Sequence, residues 1–355
     1  MSNTLFTPVE LGGLHLKNRV VMAPMTRSRA VDNVPNDMMA KYYAMRAEAG
    51  LIITEGVAPS PSGLGYARIP GIFSEAQMQG WRRVTNAVHQ AGGNIFAQLM
   101  HTGRICHPLN LPTGAQVLAP SEIAAQGEIW TDSHGQQPYP SPIAMSESDI
   151  MATIAEYAAA ASNAIDAGFD GIEVHGANGY LIDQFLNTAS NHRADRWGGT
   201  IENRIRFAVE VARACAAAIG PGRVGMRISP YGVFNCMAPD AEMDALYQRL
   251  IAELNGIGLV YIHVVDHSSM GAPEVPAALK EKIRAGFNGK YILSGGYDLA
   301  RANVDLEAKR GDLVAFGRPF ISNPDLVRKL RDGTPLIDPD PSTFYTPGER
   351  GYTDY

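Results

Sequence analysis

Short apolar, β-branched runs that end in a polar residue or a glycine recur along this chain, and a stretch with helical spacing follows each of them. The first run is Val20-Val21-Met22-Ala23-Pro24, with a helix predicted from about Pro35 to Ala49. Leu51-Ile52-Ile53-Thr54-Glu55-Gly56 precedes a helix from about Glu75 to Ala91, and Asn94-Ile95-Phe96-Ala97-Gln98-Leu99 is the third run. A Pro/Gly-rich excursion then reaches about Met145, and a helix starts near Ser148. Gly171-Ile172-Glu173-Val174-His175 is followed by an insertion and a helix from about Ile201 to Ile219. The fifth run, Val224-Gly225-Met226-Arg227-Ile228-Ser229, leads to a helix over about Asp240 to Asn255. Tyr261-Ile262-His263-Val264-Val265-Asp266 leads to one near Val275 to Ala285. The last two, Tyr291-Ile292-Leu293-Ser294-Gly295-Gly296 and Leu313-Val314-Ala315-Phe316-Gly317, have helices starting near Leu299 and Asn323.

Near-continuous apolar strands alternating with helices predict a parallel sheet covered by helices. Eight such units predict a closed α/β (β/α)₈ barrel, with loop insertions after strands three and four. Leu5–Leu16, with Gly12-Gly13 between two apolar runs, is expected to form an N-terminal hairpin that plugs the barrel bottom. No linker interrupts residues 1–355, so one domain is expected. An open doubly wound sheet would want a Gly-x-Gly-x-x-Gly turn after an early strand, and the chain has none.

Composition narrows the function classes. Of 355 residues, 45% are hydrophobic and 19% charged, and the net charge is −6 with basic residues scattered. That argues against nucleic-acid and anionic-membrane partners. The N-terminal Met1-Ser2-Asn3-Thr4-Leu5-Phe6 lacks a signal-peptide pattern, and no run approaches the ~18 apolar residues of a membrane span. A cytoplasmic location is expected, as a monomer or homodimer. Cys106, Cys215 and Cys236 are too few and too scattered for a four-cysteine cluster. Cys106 between His101 and His107 reads as a buried thiol in a loop, so no metal is expected.

Polar residues gather where barrels of this type carry their chemistry, at the carboxyl ends of strands. They are Thr26, Gly56, Gln98, His101, His175, Asn178, Tyr180, Arg227, Gly295-Gly296 and Gly317-Arg318. The glycine pairs after strands seven and eight suit a phosphate, with Arg318 adding a charge-assisted contact. A sugar-phosphate aldolase or isomerase is the alternative, but it would want a strand-end lysine or a carboxylate base. Gln98 and Arg227 suit the polar edge of a planar heterocycle such as a flavin. His175 and Asn178 offer two donors for an oxygen becoming negative, and Tyr180, with a phenol pKa near 10, has a proton to give.

The chain resembles the Old Yellow Enzyme family of FMN-dependent ene-reductases over nearly its whole length. The residues that carry this are Asn18–Arg27, Gln98–Arg104, Ala119-Pro120-Ser121, His175-Gly176-Ala177-Asn178-Gly179-Tyr180-Leu181, Arg193 with Gly198–Arg204, Arg227–Pro230, Gly317–Phe320 and Gly351–Tyr355. The resemblance implies FMN held by Pro24, Met25, Thr26, Gly56 or Ala58, Gln98, Arg227, Gly295, Gly296, Gly317 and Arg318. It places the chain in the threonine subgroup, with Thr26 tuning the flavin. His175 and Asn178 would bind the substrate carbonyl and Tyr180 would be the proton donor, with Tyr66, Met100 and Tyr345 walling the pocket. The implied activity is a ping-pong transfer of hydride from NADPH or NADH, by way of FMN, to an α,β-unsaturated carbonyl or nitroalkene. The implied partners are small electron-poor alkenes and phenolic inhibitors. Met100 departs from the tryptophan common in the family, Cys106 from a serine and Trp197 from a tyrosine, and the chain ends at Tyr355, where members usually continue through a proline. The rivals are another FMN barrel, such as a dienoyl reductase or hydroxy-acid oxidase, and a non-catalytic barrel that binds flavin and phenols.

Overall fold

The computed structural model describes residues 4–355. Met1–Asn3, part of the stretch read above for a signal peptide, lie outside the described residues. Eight parallel strands close on themselves: β1 (Val20–Met22), β2 (Leu51–Val57), β3 (Ile95–Leu99), β4 (Gly171–Gly176), β5 (Val224–Ile228), β6 (Tyr261–Val265), β7 (Lys290–Ser294) and β8 (Leu313–Phe316), with β8 paired to β1. The covering helices are α1 (Asp37–Ala44), α2 (Glu75–Gln90), α3 (Glu147–Asp166), α4 (Ile201–Ile219), α5 (Met243–Ile257), α6 (Ala277–Ala285), α7 (Leu299–Glu307) and α8 (Leu326–Asp332). Side-chain caps set several starts. Ser74 with Gln77 and Ser146 with Asp149 form capping boxes on α2 and α3, and Thr200 and Asp298 cap α4 and α7.

Strand alternation sorts the residues into two cores. Val20, Met22, Ile52, Ala97, Ile172, Val174, Met226 and Ile262 face outward and pack with the helices. Val21, Leu51, Ile53, Phe96, Tyr261, Ile292 and Leu313 face the barrel axis and pack with Val9, Leu11 and Leu16. Those last three belong to the antiparallel pair Val9–Leu11 and Leu14–Leu16, so the predicted hairpin does close the barrel bottom. Gly12 and Gly13, at φ +56° and +89°, make its turn. Both insertions are present. The one after β3 contains an antiparallel hairpin, Glu128–Thr131 with Gly135–Pro138, and the one after β4 contains a short helix, Leu181–Leu186.

Three helix boundaries differ from expectation. α1 stops at Ala44 rather than near Ala49, because the next residues bond three back, as in Ala47 N–H to Ala44 O and Ala49 N–H to Arg46 O. α5 begins at Met243 rather than Asp240, whose carboxylate receives Arg204 and the backbone N–H of Glu242. α8 begins at Leu326 rather than Asn323, since Pro324 supplies no N–H and the Asn323 amide bonds Pro319 O and Ile337 O. A short helix that the periodicity did not mark, Arg318–Ser322, precedes it. Among the described residues no helix is long and apolar enough to cross a membrane.

Candidate active site

A cavity of about 840 Å³ opens at the carboxyl ends of the strands. Pro24, Thr26, Gln98, Met100, His175, Asn178, Tyr180 and Arg227 line its depth, and Tyr66 and Tyr345 stand with Trp130 of the β3 insertion in its walls. Ten of the residues singled out from sequence therefore meet in one space. His101 does not. Its ring is buried, with Nδ1 accepting from the Gly103 N–H, and its backbone N–H donates to the Tyr157 hydroxyl. The Cys106 thiol is buried, which pushes it up to about 12, and the His107 ring accepts from the Leu109 N–H.

The remaining expected cofactor residues lie around this space rather than in its lining. Gly56 sits on β2 beneath the Met100 side chain, which occupies the place a Cβ would take, and Ala58 packs in the same cluster. Met25 reaches over Gly317, its sulfur 3.7 Å from where a Cβ on that glycine would be. Gly295, at φ +132°, has no room for a Cβ against the Asp266 carbonyl, and Gly296, at φ +63°, lies under Ser269. Arg318 is exposed and pairs with no carboxylate among the described residues; its Nη2 rests 3.2 Å from the Met270 sulfur. Because β7 and β8 are neighbours, both glycine turns and this guanidinium come to one rim.

Beneath the cavity the barrel axis carries a polar layer centred on Glu173, which no strand-end position marks. Pairing of β3 with β4 sets Gln98 opposite Glu173, and pairing of β4, β5 and β6 sets His175, Arg227 and His263 in a row. Glu173 accepts from Gln98 Nε2 at 2.8 Å, from the Tyr261 hydroxyl at 3.1 Å and from His263 Nδ1 at 2.8 Å. Burial alone would push the Glu173 carboxyl up, but the His263 ring, the Arg227 charge and the Gln98 bond bring it below its ordinary value. The layer therefore holds a carboxylate facing a guanidinium.

Arg227 supplies the test of whether a flavin fits. It is buried yet makes no hydrogen bond to protein among the described residues, and its Nε is shut away from solvent with no partner. A buried guanidinium left so is costly unless something else meets it. Gln98 spends its NH₂ on Glu173 and keeps its oxygen as an acceptor, while Thr26 brings a hydroxyl with no protein partner among the described residues. A cation, an acceptor and a hydroxyl over a wide cavity, with a glycine-lined rim and Arg318 beside it, match the donor and acceptor set of FMN.

The same cavity is lined by the groups expected to do chemistry. Asn178 occupies a left-handed conformation, φ +60°, in the turn after β4. Its N–H donates to Ser229 Oγ at 2.9 Å, and Gly179 N–H donates to Asp183 at 2.8 Å. Burial, with Arg227 and two histidines nearby, holds the His175 ring well below 6.5, so it is neutral and has a single N–H. Burial also raises Tyr180, keeping the phenol protonated at neutral pH. Its hydroxyl lies 3.2 Å from that of Tyr66, and its ring meets His175 edge-on at 5.0 Å. Tyr66, expected as a wall of the pocket, is also the hydroxyl neighbour of Tyr180.

These buried groups set the acid response of the fold. Burial lowers His101 to about 3 and His267 to about 4, with His175 lowered as well. An unfolded chain takes up these protons near pH ~6.5, so the histidine contribution is complete above that value and is lost as pH falls toward the folded values. Burial raises Glu55 and Asp183 to about 7. Their contribution is full below about pH 4 and is lost as pH rises to their folded values. The two trends oppose each other in the middle range, and in acid only the loss remains, with Glu173 adding to it. The urea midpoint is expected to change little between about pH 7 and 5 and to fall steeply below about 4.5. A midpoint that peaks near pH ~4 would contradict these assignments.

Comparison with known proteins agrees with the geometry. The family model described as NADH:flavin oxidoreductase / NADH oxidase matches residues 4–336. A probable flavin mononucleotide-dependent alkene reductase of Leishmania infantum is 44% identical, covering 99% of this chain and 97% of its own length. The 12-oxophytodienoate reductase 7 of Oryza sativa subsp. japonica is 40% identical, covering 99% and 94%. Among solved structures, morphinone reductase superposes with a TM-score of 0.96 at 45% identity, covering 100% of this chain and 96% of that one. The Old Yellow Enzyme homologue of Zymomonas mobilis gives 0.94 at 39% identity over 99% of both chains. On the closed barrel, the flavin-matched cavity and these likenesses, the chain belongs to the NADH:flavin oxidoreductase / NADH oxidase family, the FMN-dependent oxidoreductases that include Old Yellow Enzyme.

Proposed function

We propose that the chain reduces the C=C bond of α,β-unsaturated carbonyls or nitroalkenes at the expense of NADPH or NADH, with both substrates using one cavity in turn. The observation that carries this reading is that Arg227 and Gln98 line the same cavity as His175, Asn178 and Tyr180. Bound FMN supplies the chemistry of accepting a hydride from the nicotinamide and passing it to the β carbon. His175 and Asn178 bind the oxygen of the activating group as it becomes negative, each contribution of this kind being worth about 3 kcal/mol in the transition state. Tyr180 holds the proton that goes to the α carbon, and Tyr66 holds the Tyr180 hydroxyl. Met100, Tyr345, Trp130 and Phe234 give the walls an apolar, aromatic character suited to flat alkenes. The names of the relatives, an alkene reductase and morphinone reductase among them, support the same class.

The two donors also suit phenolates, which have the anionic oxygen but no reducible alkene. Titration of the holoenzyme with p-hydroxybenzaldehyde is expected to raise a long-wavelength charge-transfer band that saturates. An unchanged visible spectrum at saturating phenol would remove His175 and Asn178 from the role of anion donors.

A further inference from the structure

We infer that His267 is a positioning residue that holds the side-chain amide of Asn178 with its NH₂ group, rather than its oxygen, toward the cavity; this rests on the reading of Asn178 as the partner of the substrate oxygen. His267 lies two residues beyond the end of β6, outside the cavity lining, and is 6% exposed. Its Nε2 stands 2.7 Å from Asn178 Oδ1, and its ring is covered by Phe234 at 4.6 Å.

An asparagine amide has an acceptor end and a donor end that differ little in shape, so packing alone chooses weakly between them. For a site that must stabilise a developing negative oxygen the two choices are opposite in sign. An NH₂ facing the cavity attracts that oxygen, and a carbonyl facing it repels it. The Asn178 backbone is already fixed on both sides, by Ser229 on its N–H and by Asn235 Nδ2, which donates to its carbonyl at 2.7 Å. What remains to be decided is the amide flip, and an N–H donor against Oδ1 decides it. Burial lowers the His267 ring to about 4, so across the neutral range it is uncharged and carries one N–H. Placing that hydrogen on Nε2 leaves Nδ1 bare, and the Asn178 NH₂ has no protein partner among the described residues. The turn after β5 thus secures the backbone of Asn178 and the turn after β6 secures its amide.

The test is a double-mutant cycle on holoenzyme, read as the Kd of p-hydroxybenzaldehyde from its charge-transfer band, with FMN content measured for each variant. His267→Leu is expected to weaken binding about tenfold, the worth of one directed hydrogen bond. His267→Gln, which retains an N–H donor, is expected to stay within about threefold of the parent. In an Asn178→Ala background His267→Leu is expected to change nothing further, because the group it orients is gone. An equal tenfold loss in that background would mean that His267 shapes the loop rather than the amide, and would overturn the inference, as would full-strength binding by His267→Leu. A parent enzyme with no band at all would instead overturn the reading of the site, and the inference with it.

Discussion

Tyr180→Phe is expected to slow re-oxidation of the reduced enzyme by 2-cyclohexenone by about 10²–10³-fold, while reduction by NADPH stays within about threefold of the parent. The split follows from what the phenol does. Hydride arriving at the β carbon leaves the α carbon needing a proton, and the phenol is the protonated acid in the cavity wall beside His175. Delivery of hydride from a nicotinamide needs no such proton, so the first half-reaction does not involve the hydroxyl. The substitution removes one oxygen that stands against the Tyr66 hydroxyl and leaves the ring packed against His175, so binding of the enone changes little. Stopped-flow traces of the two half-reactions, recorded separately without oxygen, give both rates. Equal slowing of both would take Tyr180 out of the role of proton donor and make it a packing residue.

Glu173→Ala is expected to lower stability by about 3–5 kcal/mol, measured as the shift in urea unfolding of the holoenzyme, and to release FMN. The carboxylate is the acceptor shared by Gln98, Tyr261 and His263 in the barrel axis, and it offsets the charge of Arg227. Its loss leaves a buried cation, a buried phenol and a ring N–H without their partner, and each such orphan costs about 1–3 kcal/mol or more. Gln98 loses the bond that turns its oxygen to the cavity, so the cofactor suffers with the fold. Glu173→Gln keeps the shape but removes the charge, and is expected to fall between the parent and the alanine variant. A change within about 0.5 kcal/mol for Glu173→Ala would show that the polar layer is dispensable.

Most of the barrel was legible because its periodicity is local. Each strand, such as Val224–Ile228, is a short apolar run, and each helix, such as Ile201–Ile219, declares its cap and its spacing within a few residues. The rim residues were legible because a strand end is visible in sequence. Glu173 and His263 were not singled out, because they stand inside strands, two positions from His175 and Tyr261, where a polar side chain facing the axis looks like one facing outward. Only the register of β3 to β6 brings Gln98, Glu173 and His263 together. His267 is different, since it directly follows the run that ends in Asp266, and the rule that marked the other strand ends applies to strand six as well. The hairpin Glu128–Pro138 was absorbed into a Pro/Gly-rich excursion, yet its alternating burial puts Trp130 on the exposed face at the cavity mouth. The corrected boundary at α8 turned on a proline whose effect depends on Asn323 bonding to Ile337, fourteen residues on.

The reading of this chain as an alkene reductase meets its most direct test in one anaerobic experiment. Holoenzyme reduced with dithionite and mixed with excess 2-cyclohexenone is expected to regain the oxidised flavin spectrum fully, with one equivalent of cyclohexanone formed per flavin. A spectrum that stays bleached until air is admitted, with the enone recovered unchanged, would contradict the assignment.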